Sequence, residues 1–88
     1  MRFLHFEVDA HHGDVIEVTL DRQANVRLLD GSNFLSFRSG RRHRYVGGLA
    51  RRSPARLAAP HAGHWHVVVD LGGHAGHVRA GVRVLRAA

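Results

Sequence analysis

The chain contains no cysteine and no lysine. Without thiols it can form neither a disulfide framework nor a thiolate metal centre, and it suits a reducing compartment. No apolar run approaches the roughly 20 residues that a helix needs to cross a bilayer, so no membrane association is expected. The first residues carry Glu7 and Asp9 where a signal peptide would carry an apolar stretch, so the predicted location is cytoplasmic. Acids are few: Glu7, Asp9, Asp14, Glu17, Asp21, Asp30 and Asp70. Paired carboxylates for acid–base work need a cleft that holds them at set distances, and 88 residues leave little room for one. None of the serines, Ser32, Ser36, Ser39 and Ser53, lies in a nucleophile-elbow context. Neither Gly47-Gly48 nor Gly72-Gly73 runs into a helix, so no phosphate cradle is expected. The prediction is therefore a non-enzyme with no cofactor.

The clearest signal present is alternation. Gly63 to Leu71 places Trp65, Val67, Val69 and Leu71 on one face, and His77 to Leu85 places Val78, Ala80, Val82 and Val84 on one face. These are predicted as two strands joined by a glycine-rich turn, building one wall of a core. Residues 2–8 alternate as well. So do residues 15–21, with Ile16, Val18 and Leu20 opposite Glu17, Thr19 and Asp21. Residues 25–30 predict a third strand with Val26 and Leu28 inward. One helical turn is predicted over residues 33–38, capped by Ser32 or Asn33, with Phe34 and Phe37 three apart and Gly40 ending it. Arg41 to Val46 reads as strand again, Gly47-Gly48 as a bulge or tight bend, and Ser53-Pro54 as the start of another extended piece. No repeat, linker or low-complexity tract divides residues 1–88. The fold class predicted is all-β: one small antiparallel β-sandwich of seven to eight strands with one short helical turn.

Thirteen arginines against seven acids give a net charge of +6 with histidine neutral. Arginine's planar fork suits phosphate and carboxylate, and the excess favours anionic partners. The densest run is Arg38, Arg41, Arg42, His43, Arg44 and Tyr45, followed by Arg51, Arg52 and Arg56. Arg41, Arg42, Arg44, Tyr45, Arg51 and Arg52 are the candidate binding residues. Their predicted partner is an anionic small ligand or an acidic protein surface. A nucleic acid is the alternative, because arginine interleaved with an aromatic can contact phosphate and stack on bases. A self-associating module is a third reading, since sandwich edges can add strands.

Histidine is abundant, with nine residues. His64 and His66 share one strand face opposite Trp65. Two such imidazoles with a third group could hold a divalent ion, but the spacing matches no zinc signature, and solvated histidines covering apolar surface are the expectation. Asp70 is expected to accept turn amide hydrogens or to pair with an arginine across the sheet.

The runs Gly13 to Asp21, Ala24 to Asp30, Ser53-Pro54 and Gly63 to Gly73 together resemble a bacterial family catalogued as domain of unknown function 1883. The resemblance covers nearly the whole chain, and its most specific part is the tryptophan segment. Members of that family are sometimes joined to TIR domains, which implies a regulatory or sensing role and a functional link to TIR-domain proteins. The resemblance implies no catalytic residues. A weaker similarity, through Gly13-Asp14 and Gly63 to Trp65, is to bacterial pre-peptidase C-terminal β-sandwich domains, and it implies a sandwich without transferring any site.

Overall fold

Alternating apolar residues do segregate into strands. In the computed structural model, which describes residues 2–88, they are β1 (Leu4–Ala10), β2 (Val15–Leu20), β3 (Ala24–Leu29), β4 (Val46–Ala50), β5 (Ala55–Ala58), β6 (Gly63–Asp70) and β7 (Ala80–Leu85), with one helix, α1 (Gly31–Arg38). A four-stranded sheet has the order β1-β6-β3-β4, and a three-stranded sheet the order β5-β2-β7. All pairings are antiparallel. Only the link from β3 to β4 stays within one sheet; every other connection crosses to the opposite sheet.

The inward faces meet as predicted. Val26 and Leu28 of β3 and Trp65, Val67 and Val69 of β6 are buried with Ile16 and Val18 of β2. Partly buried Val82 and Val84 of β7 pack against them from the second sheet. The tryptophan strand and the last strand are thus opposite walls of the core rather than one wall. Residues 71–79 carry the chain across the sandwich instead of folding it into a hairpin.

The larger sheet is covered on its other face too. Phe34 and Phe37 of α1 bury against Leu29, Val68 and Phe3. Residues 29 and 68 point away from the sandwich interior yet are wholly buried, because the helix lies over them. Asp30 caps α1, its carboxylate accepting from the Asn33 amide at 2.9 Å. The cap precedes the predicted Ser32 or Asn33, and the helix begins at Gly31. It ends in a Schellman turn: the Arg41 amide donates to Ser36 O at 2.8 Å and the Gly40 amide to Phe37 O at 3.1 Å. Gly40 stands at φ +73°, the left-handed conformation that this motif requires of the residue after the cap.

Gly47 and Gly48 form no bulge. The register from Leu28↔Val46 to Ala24↔Ala50 is unbroken. Glycine is needed at 47 because φ is +117° and a Cβ would strike the carbonyl of Val26 in the neighbouring strand.

Three acids hold the loops and edges. Asp14, in the turn between β1 and β2, accepts from the His11 amide, the Ala87 amide and Arg86 Nη1 at 2.8–2.9 Å, clasping the chain's last residues to the first turn. Glu17 in β2 lies between Arg56 of β5 and Arg83 of β7 at 3.1 and 2.7 Å. Asp30 is the helix cap. In all three the carboxyl is held below its ordinary value. Backbone amide donors dominate at Asp14 and Asp30, and the Arg83 guanidinium dominates at Glu17. A lowered folded-state pKa adds stability above the ordinary carboxylate value of about 4, and that stability is lost as pH falls through the folded value. The urea midpoint is therefore expected to fall from about pH 5 downward and to go on falling below pH 3. Asp14→Asn should lower the midpoint at neutral pH and flatten its acid dependence. A midpoint unchanged between neutrality and pH 3 would contradict this.

Candidate binding surface

The six candidate residues fall into two separate groups. Arg41 to Tyr45 is not strand; it is an irregular segment folded back along α1. Side chains bonded to backbone hold it there and compete with strand pairing. The Arg44 amide donates to Asn33 Oδ1 at 2.7 Å, and Asn33 in turn donates through Nδ2 to Asp30 at 3.0 Å. His43 Nδ1 bonds to Arg41 O at 2.9 Å, and the His43 ring meets Phe37 edge-on at 5.2 Å. Arg41, Arg42 and Arg44 are exposed on this frame. The alternation that would have placed Arg42 and Arg44 on one strand face therefore does not apply.

Tyr45 closes the segment. Its ring lies 5.2 Å from the guanidinium carbon of Arg27, which also stands 5.3 Å from the Phe37 ring. Arg27 is bound to Asp70, whose side chain is fully buried. Asp70 accepts from Asn25 Nδ2 at 3.1 Å and from the Gly72 amide at 2.7 Å as well, so it both caps the turn and pairs across the sheet. This charge cluster on the outer face of the large sheet anchors Tyr45 and, through it, the arginine segment.

Arg51 and Arg52 lie beyond β4, whose five residues span about 17 Å. They belong to the crossover into the second sheet. Arg52 lines a hollow of about 320 Å³ with Gly47, Leu49 and Arg56. A larger cleft of about 910 Å³ is lined by Phe3, Leu4, Leu71 and Val78, with exposed Arg2 and His77. None of Arg38 to Tyr45 lines either one.

Among the described residues, salt bridges reach Arg27, Arg56, Arg83 and Arg86; the exposed Arg2, Arg22 and Arg79 have none, and the other arginines without one cluster in residues 38–52. The seven acids are all engaged: Glu7 and Asp9 with His64, Asp14 with Arg86, Glu17 with Arg56 and Arg83, and Asp70 with Arg27. Asp30 caps the helix and Asp21 accepts from the Arg79 amide. Among the described residues, no salt bridge reaches Arg38, Arg41, Arg42, Arg44, Arg51 or Arg52.

A second polar cluster was only half visible in the sequence. On the outer face of β1 and β6, His64 Nε2 lies 2.8 Å from Glu7 Oε1, and His64 Nδ1 lies 2.7 Å from Asp9 Oδ1. His66 Nδ1 lies 4.0 Å from Glu7 Oε1 and 2.8 Å from His5 Nε2. The hydrogen bonds to Glu7 and Asp9 raise the pKa of His64, and the His64 bond lowers that of Glu7. Burial lowers that of His66, whose ring is stacked on Phe34 at 4.5 Å. The sequence shows that His64 and His66 share a face. Only the register Glu7↔His66 and Asp9↔His64 brings the acids to them from nearly sixty residues away.

Two antiparallel sheets, one helix laid over the larger of them, and an arginine segment without acid partners define a small basic β-sandwich domain. The chain belongs to the family described as Domain of unknown function (DUF1883), whose model matches residues 1–88. No curated protein and no solved structure matches it. Among the described residues, no helix is long and apolar enough to cross a membrane.

Proposed function

We propose that this domain is a non-catalytic recognition module that docks on an acidic protein surface through Arg38, Arg41, Arg42 and Arg44. The observation that carries this is their clustering: every acid is occupied elsewhere, and of the exposed arginines left without an acid these four stand together on one braced segment. A guanidinium matches a carboxylate with two parallel hydrogen bonds, and a preformed segment loses less entropy on binding than a floppy one. Small ligands prefer concave sites, and these arginines line neither the cleft nor the hollow. That favours an extended partner over a small anion. Tyr45 already packs against Arg27 and lies 5.6 Å from His43. Tyr45 stays 45% exposed but is the one exposed aromatic of residues 38–45, whereas single-stranded nucleic acid is held by successive aromatic platforms, which favours acidic protein. Arg51 and Arg52, on the far side of β4, stay outside the primary contact.

Amide NMR titration with a glutamate-rich peptide tests the proposal, beside a single-stranded oligonucleotide of equal charge. The expected result is shifts concentrated in residues 38–45, with tighter binding of the peptide. Shifts centred elsewhere, or tighter binding of the oligonucleotide, would overturn it.

A further inference from the structure

We propose that Glu7, His64 and His66 form an open site for a divalent transition-metal ion on the outer face of the β1–β6 pair. One ligand atom from each of the three lies within 4.8 Å of the other two. A tetrahedral zinc ion with bonds of about 2.0–2.1 Å sets its donors about 3.3 Å apart. The site therefore needs the 2.8 Å contact between Glu7 and His64 to open slightly and the wider pairs to close, movements that side-chain rotations supply. The backbone contributes the rest of the geometry. His64 and His66 stand two apart on one strand face, and Glu7 is directly opposite His66 in the antiparallel register.

The neighbours orient the donors. Asp9 Oδ1 lies 2.7 Å from His64 Nδ1, which leaves Nε2 directed at Glu7. A carboxylate behind a ligating imidazole fixes the tautomer and the ring plane in metal sites generally. Phe34 lies parallel to the His66 ring, within 3° at 4.5 Å, and holds that plane. His5 Nε2 stands 2.8 Å from His66 Nδ1. An ion on Nδ1 displaces that hydrogen bond and leaves His5 at the site's edge as a fourth donor. The ion also takes the place of the proton shared between His64 Nε2 and Glu7.

The donor chemistry selects the ion. Two imidazoles and one carboxylate suit zinc and its first-row neighbours, whereas magnesium and calcium prefer all-oxygen sets. The side chains of Glu7 and His64 are about half exposed, at 55% and 50%, so one side of the ion faces solvent and keeps a position for water or a further ligand.

The test is calorimetric titration of the full chain with zinc chloride, paired with ¹⁵N NMR of the histidine rings. One equivalent of zinc is expected to bind and to shift the His64 Nε2 and His66 Nδ1 signals, while magnesium gives neither effect. Asp9→Ala should weaken binding about tenfold, the usual loss for a carboxylate behind a ligand, and His64→Ala should lose at least that much. The pair His11→Ala and His12→Ala should leave the one-equivalent site intact. The ring spectra of the unaltered protein do not depend on any variant folding. No bound equivalent, shifts confined to other histidines, or full binding by His64→Ala would overturn the proposal.

Discussion

Replacing Asp70 by alanine is expected to cost about 3–5 kcal/mol of folding stability, the loss typical of breaking a buried ion pair from one side. A domain of this size has on the order of 5–10 kcal/mol in all, so the variant should be close to unfolding at room temperature. The Asp70 side chain has no exposed area, and that of Arg27 is 19% exposed. Removing the carboxylate leaves the guanidinium on the sheet without its counter-charge, while Arg27 Nε is already buried with no partner. The Gly72 amide and Asn25 Nδ2 lose their acceptor together with it. Asp70→Asn keeps an acceptor oxygen and the size, so it should lose less. The double change Arg27→Met with Asp70→Asn removes the stranded charge and should be more stable than Asp70→Ala. Urea unfolding followed by tryptophan fluorescence measures all three. A loss below about 1 kcal/mol for Asp70→Ala, the scale of an exposed pair, would mean that the cluster does not hold the outer face together.

The same cluster links stability to recognition. Asp70 positions Arg27, Arg27 lies against Phe37 and Tyr45, and Tyr45 ends the segment that carries Arg41, Arg42 and Arg44. The geometry of the segment thus depends on a salt bridge made by strands distant from it in sequence. Asn33 holds the same end through the Arg44 amide, and the Schellman turn at Gly40 fixes the other.

Period-two alternation revealed the core because burial on a strand acts on every second side chain. Ile16 and Val18, Val26 and Leu28, and Trp65, Val67 and Val69 all lie where the pattern puts them. Sheet membership was not legible. Whether residues 71–79 make a hairpin or a crossing depends on which partner each strand finds, and strand 63–70 pairs with β1 and β3 instead of β7. Leu29 and Val68 are apolar at outward strand positions; they are the sheet's half of a second core under the helix.

At the helix start, Asp30, Ser32 and Asn33 are all good caps, and the choice of Asp30 turns on one backbone conformation. The arginine segment misled for a different reason. Arg41 to Val46 alternates like a strand, but the Asn33–Arg44 and His43–Arg41 bonds take backbone groups that a ladder would use. The charge excess of that segment was plain in the sequence. That its arginines lack acid partners was not, because it depends on where seven distant acids end. Glu7 was invisible beside His64 and His66 for the same reason, since strand register is a tertiary property.

Polyanion affinity measured against salt, for the natural chain and for a variant carrying Arg41→Glu, Arg42→Glu and Arg44→Glu, tests recognition by this segment most directly. Exposed charge pairs contribute up to about 1 kcal/mol each, and 1.4 kcal/mol is a factor of ten. Loss of three pairs therefore predicts an affinity for a glutamate-rich peptide weaker by up to about 100-fold at low salt, with an unchanged circular dichroism spectrum. Affinity of the natural chain should fall as salt rises, because its contacts are exposed and screened, and the variant should lose most of that dependence. The pair Arg51→Glu and Arg52→Glu, about 17 Å away along β4, should bind almost as the natural chain does. A folded triple variant that keeps the natural affinity and salt dependence would contradict the assignment of this segment as the recognition surface.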